Sequence, residues 1–220
     1  MKLYFSRNYN PRLAVAVARQ VEAPVEFEFA SPFAPGQRAR FAKLNPGLGL
    51  PILVEAGAEP LWEADAVACR LSQVTDAAFW RTGARLPDMM RWISWGYWNF
   101  VAACDRVHFE RVTKARYGQG PINEVLIVSG LEQFHESAQQ LDAIFARRDF
   151  LLSDGLSYAD FRMASVLPYA DLAGLPLAEY ANLAAWYRRL EALPAWRDPF
   201  AGLEAPPLPA IAPWDERRGS

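Results

Sequence analysis

The chain has 220 residues, 52% hydrophobic and 22% charged, which supplies a real core for one large domain or two small ones. Its formal net charge is -2, and its basic residues form no block, so the electrostatic footprint of a nucleic-acid binder is missing. The longest apolar run near the N-terminus, residues 13–18, is too short for a membrane span or a signal-peptide core, and the expectation is a cytoplasmic protein with no membrane partner.

The first element in the chain is a short β-type run, Lys2–Phe5, followed by the polar, turn-forming "SRNYNPR" and an Ala/Val-rich helix reaching residue 21. Asn10 before Pro11 reads as a helix start, because Asn accepts from the first free amides and Pro is tolerated at the first helical position; the helix is expected to begin at Pro11. After Pro24, "VEFEF" alternates apolar and acidic residues, a strand with one face buried, which closes a βαβ unit. "ASPFAPGQRARFAKLNPGLG" is a loop with at most a short helix. Ile52–Val54, a turn at Gly57 and Leu61–Trp62 read as a hairpin, and residues 65–71 as a helix.

From Pro87 the texture changes. Residues 88–112 carry apolar or aromatic side chains at Met89, Trp92, Ile93, Tyr97, Phe100 and Val101, close to a 3.6-residue period, and predict one long helix. Further helices are expected at 123–146, 157–173 and 182–193, with no strand signal among them. The fold class is therefore α/β followed by all-α: a βαβ-ββα domain over 1–75, a linker to 86, a helical domain over 87–200 and a Pro-rich tail over 201–220. Ser157 with Asp160 is a capping box ahead of an apolar helix rather than a catalytic pair. Cys69, Cys104, His108 and His135 show no metal-ligand spacing, so no metal is expected, and two unlinked thiols suit a reducing compartment.

Within this frame, "NPGLGLPIL" (45–53) resembles the Asn-Pro-x-Gly-x-Val-Pro-x-Leu motif of the cytosolic glutathione transferase superfamily, and "LWEADAVACRL" (61–71) resembles its Leu-x-Glu-Ser-x-Ala-Ile-x-x-Tyr-Leu. "GLSYADFRMAS" is similar to the capping motif of that family's helical domain, and "YANLAAWYRRLEALPAW" to its C-terminal helix ending. The resemblance implies a thioredoxin-like, glutathione-binding N-terminal domain, a helical domain contributing the second-substrate site, a small electrophilic substrate and a homodimer. It also implies a cis bond before Pro51, which turns the N–H and C=O of Leu50 outward to pair with the glutathione backbone like an added strand. Glu63 is then placed to contact the γ-glutamyl amino group, or else to cap its helix. Backbone donors at Ala64 and Asp65, at a helix N-terminus, suit the γ-glutamyl carboxylate. Ala64 departs from the family's Ser, and losing that hydroxyl is worth on the order of 1 kcal/mol of binding.

A free thiol has a pKa of about 8.5, so catalysis requires donors or positive potential aimed at the sulfur. The first loop offers Asn10, Asn8 and Ser6 as candidate catalytic donors. Asn10 stands where some bacterial members carry Cys and is either the donor or the helix N-cap, with Asn8 and Ser6 as alternatives. Tyr4 shares a position with the Tyr of other classes and otherwise belongs to the core; Arg12 serves a carboxylate or a structural ion pair. On the long helix, Trp95 and Asn99 form the expected second-substrate pair, against a reading of these aromatics as core or dimer surface. Neither cysteine lies in the first loop, so disulfide exchange through a protein thiol is not expected. The functional expectation is a glutathione-dependent transferase, conjugating electrophiles in detoxification or reducing peroxides; the alternative is a non-catalytic binding or interaction module on the same fold.

Overall fold

Strand β1 (Lys2–Phe5) leads through a short loop into α1 (Tyr9–Gln20) and back to β2 (Glu26–Phe29), which lies parallel to β1 with Leu3 opposite Phe27 and Phe5 opposite Phe29. A short α2 (Arg38–Ala42) precedes β3 (Ile52–Val54) and β4 (Leu61–Trp62), each antiparallel to its neighbour, giving the sheet order β2-β1-β3-β4. Helix α3 (Ala64–Val74) follows directly. The run Leu13 to Ala18 is buried entirely, because α1 packs against both β1 and α3. The opposite face of the sheet is closed by Tyr4, Ala30, Phe41, Leu48 and Ile52, with Phe41 supplied by α2. Each such aromatic or aliphatic side chain taken from water contributes roughly 1.5–3 kcal/mol.

In this computed structural model, residues 1–212 and 214 are described. They form two units: Met1–Thr82 with Glu191–Pro206, and Gly83–Leu190 with the stretch from Pro207 onward.

Helix α1 begins at Tyr9, not at Pro11. Asn8 is the residue before it, in extended backbone (φ -68°, ψ 160°), and its carbonyl accepts the first helical bond from Arg12 at 2.9 Å. Pro11 still falls within the first turn, where a missing N–H leaves nothing unmade. Asn10 is therefore a helix residue, not the N-cap.

The second unit is helical: α4 (Leu86–Trp98), α5 (Phe100–His108), a π-helical turn (Phe109–Thr113), α6 (Lys114–Tyr117), α7 (Glu124–Phe145), α8 (Tyr158–Met163), α9 (Ala170–Ala173) and α10 (Ala181–Glu191). The single long helix expected over 88–112 is broken at Asn99. Its side-chain amide donates to the Trp95 carbonyl at 2.8 Å while its backbone, at φ -120° and ψ -94°, leaves the helix. Asparagine competes with the helical ladder in this way. The helix expected over 157–173 also stops early, because Pro168 cannot follow Ala164 in a continuous helix without striking its carbonyl; a short 3-10 turn, Leu167–Tyr169, links α8 to α9.

The last helical turn, α11 (Pro194–Arg197), and the segment behind it return to the first unit. Trp196 is buried there, Arg12 donates to its carbonyl, and the Arg12 guanidinium lies 4.8 Å from its ring centre.

Candidate functional site

The peptide bond between Leu50 and Pro51 is cis. Two registers fix where it lies: Ile52 sits opposite Tyr4 on one side and opposite Trp62 on the other. Leu50 and Pro51 thus stand at the sheet end where β1 runs into Ser6 and where β4 runs into Glu63. The turn before them is built by Asn45, a buried residue. Its Oδ1 accepts from the Gly47 amide and its Nδ2 donates to the Gly49 carbonyl, both at 3.0 Å, while Leu48, at φ 59°, donates its amide to the Asn45 carbonyl. Among the described residues the N–H and C=O of Leu50 enter no hydrogen bond. A backbone pair left open at a sheet end is a template for another extended chain.

Beside it, α3 starts in an unusual way. Glu63 is held at φ 73° and ψ 130°, a conformation that costs a non-glycine residue roughly 1–3 kcal/mol. Its side chain is exposed and makes no capping hydrogen bond, so capping is not its role. The Glu63 carbonyl accepts from Val67 at 3.0 Å, whereas the Ala64 amide finds no acceptor partner among the described residues. Asp65 follows in the first turn. The result is a helix end with an open N–H and the positive end of the α3 dipole, a ready place for a carboxylate.

The first loop supplies the side chains. Ser6 is half-buried, and its hydroxyl has no hydrogen-bond partner among the described residues. Asn8 makes no capping bond, and Asn8, Tyr9 and Asn10 are all half-buried and engaged within the chain. Tyr4 is 8% exposed, packed edge-on against Phe41 at 5.5 Å, with its hydroxyl 3.4 Å from Arg40; it is a core residue. Arg12 is held by the carbonyl and the ring of Trp196, a structural contact in place of the expected carboxylate or ion pair. Burial pushes both protein thiols, Cys69 and Cys104, above their ordinary pKa, so neither is poised as a thiolate.

Leu50, Pro51, Glu63, Ala64, Asp65 and the first-loop residues all belong to the first unit. Trp95 and Asn99 belong to the helical one. Trp95 is half-buried with its ring edge-on to Trp92 (5.8 Å, 78°), and the Asn99 amide is occupied by the Trp95 carbonyl. Asn45 is the turn-building residue to which sequence reasoning gives no role; its signal is Asn-Pro-x-x-Gly, an Asn whose side chain closes its own turn.

Residues 106–189 match the family model described as glutathione S-transferase, C-terminal domain. That stretch is similar to the helical domain of glutathione S-transferases. Over most of its length the fold is that of solved glutathione S-transferases. A glutathione S-transferase III in apo form is 23% identical with a TM-score of 0.80, covering 94% of this chain and 98% of that one. A glutathione S-transferase from Rhodospirillum rubrum F11 is 20% identical (TM-score 0.79; 96% and 95%), and a glutathione S-transferase-I bound with lactoylglutathione is 20% identical (TM-score 0.78; 91% and 98%). No curated protein matches the chain. Among the described residues, no helix is long and apolar enough to cross a membrane, and no group of three His, Cys, Asp or Glu could hold a metal ion.

Proposed function

We propose that the chain is a cytoplasmic glutathione-dependent transferase that works as a homodimer in detoxification. The observation that carries this reading is the unbonded N–H and C=O of Leu50 beside the open amide of Ala64. One would pair with the backbone of an extended tripeptide, the other with a terminal carboxylate, and Glu63 stands between them with an uncommitted carboxylate for an amino group. The solved glutathione S-transferase-I bound with lactoylglutathione, which shares the fold, supports the same reading.

Ser6, Asn8 and Asn10 are the proposed donors to the sulfur, at the N-terminus of α1, whose dipole adds positive potential. The thiol proton leaves to solvent, the thiolate attacks an electrophilic carbon, a C–S bond forms and the leaving group departs with its electron pair. Peroxides are the other electrophile class in reach of the same thiolate. Trp95 and Asn99 are the proposed second-substrate residues. A second reading, a non-catalytic binding or interaction module, draws on the engagement of Asn8, Tyr9 and Asn10 within the chain.

An ultraviolet difference titration with glutathione between about pH 5 and 9 separates the two. Thiolate absorbance appearing well below the free thiol's pKa of about 8.5 is the expected result. Binding with no thiolate selects the non-catalytic module.

A further inference from the structure

Four backbone carbonyls of the returning C-terminal segment are held by three arginines of the first unit. Arg12 takes the carbonyl of Trp196, Arg19 those of Pro199 and Ala201, and Arg7 that of Ala205 through Nε at 2.9 Å. Arg12 and Arg19 are seven residues apart on α1 and therefore share a face, which fixes the strap along the helix. Arg7 is different, since it lies in the first loop. Its guanidinium also covers Phe200 at 4.6 Å, and Phe200 in turn stacks on Phe5 of β1 at 5.7 Å and 19°. Phe5, Arg7 and Arg12 are thus the three points at which the strap grips the turn from β1 to α1. Ser6, Asn8 and Asn10 lie between those grips.

We infer that the strap formed by residues 196–205 is a working part of the thiol site, with Arg7 as the positioning residue that clasps the first loop and sets the direction of its donors. This rests on the transferase reading above. The physical requirement is severe, because a donor displaced by about 1 Å can lose on the order of 100-fold in rate. Within the short link from Phe5 to the start of α1 at Tyr9, Arg7 is the side chain that both bonds the strap and covers one of its aromatic rings. The clasp works through geometry, by one fork-shaped donor placed over an aromatic ring while bonding a carbonyl, and lysine cannot reproduce that pair of contacts.

The test compares Arg7→Gln and Arg7→Lys with Arg19→Gln, which loosens the same strap at the far end of α1. Both Arg7 variants are expected to raise the pH midpoint at which bound glutathione ionises and to lower kcat about tenfold with KM little changed. Arg19→Gln is expected to leave that midpoint where it is. In the ligand-free protein, amide resonances of Ser6, Asn8 and Asn10 should shift in the Arg7 variants and stay in place in Arg19→Gln. Recovery of the wild-type midpoint by Arg7→Lys would overturn the clasp in favour of simple charge, and equal shifts at Arg7 and Arg19 would reduce it to general stability. If the wild-type protein ionises no bound glutathione, the transferase reading falls and the thiol-site role with it, while the resonances still report separately on whether Arg7 fixes the loop.

Discussion

Two helix N-termini in this chain are built in opposite ways. At α8, the carboxylate of Asp160 is fully buried and accepts from the Leu151 amide, the Ser157 amide and hydroxyl, and the Trp186 indole. Helices α7 and α10 are closed likewise, by Asn123 and by Asp142. At α3 the preceding residue is strained, its side chain does not cap, and the Ala64 amide is left open. A closed end holds the fold together, whereas an open end beside an open strand waits for an acceptor from outside.

The strongest way to break this contrast is Asp160→Ala, which strands four buried donors and should cost about 3–5 kcal/mol in denaturant unfolding. A cost like that of an ordinary surface substitution would mean the closed end is not structural. The pH dependence sharpens the same side. Burial pushes Asp160 up to about 6 despite its four donors, and burial with the nearby Arg116 holds His108 down at about 4. For Asp160 the folded state binds the extra proton, so its contribution is full below about 3.8 and is lost as pH rises through about 6. For His108 the unfolded state binds it, so its contribution is full above about 6.5 and is lost as pH falls through about 4. The two slopes oppose each other, and at about 1.4 kcal/mol for each tenfold change in proton affinity, each amounts to roughly 3 kcal/mol. The wild-type protein should show a nearly flat stability profile across that window, whereas His108→Gln should lose stability steadily as pH rises from about 4 to 6. A flat profile in the variant would contradict the assignment for Asp160.

On the open side the expected effects are smaller. Ala64→Ser restores a hydroxyl donor and should tighten glutathione by about 1 kcal/mol, roughly fivefold, in calorimetric titration. No gain would argue that the acceptor does not sit at this helix end. Glu63→Gly relieves the positive φ and should raise thermal stability by about 0.5–1 kcal/mol net of glycine's chain entropy, while weakening glutathione. An unchanged affinity would remove Glu63 from the site.

What is legible in the sequence follows the same division. The sheet, the short α2 and the capping box are written in local chemistry, namely alternation, turn residues and a Ser and an Asp three apart, whereas the cis bond at Pro51 is anticipated from the family resemblance of its motif. Likewise, the open end of α3 can be anticipated because its donors are backbone atoms at a marked position. The break at Asn99 is hidden because an aromatic-rich period runs straight through it, and only the side-chain bond to Trp95 reveals the stop. The start of α1 is misplaced because Asn10-Pro11 imitates a cap, while Asn8 holds the real boundary two residues earlier. The partnership of Arg7 with Ala205 has no local signal at all, since its partners lie nearly the whole chain apart.

That separation bears on the order of events during synthesis. The sheet, α1 and α3 are complete once Thr82 has emerged, yet Trp196 and Phe200, which cover Arg12 and Phe5, come more than a hundred residues later. The N-terminal unit therefore gains the cover of Trp196 and Phe200 only after the whole helical stretch 83–190 has been made. Cutting the chain at residue 82 would yield a piece lacking its own outer wall, so dissection of this protein into two independent halves should follow the spatial boundary and not the sequential one.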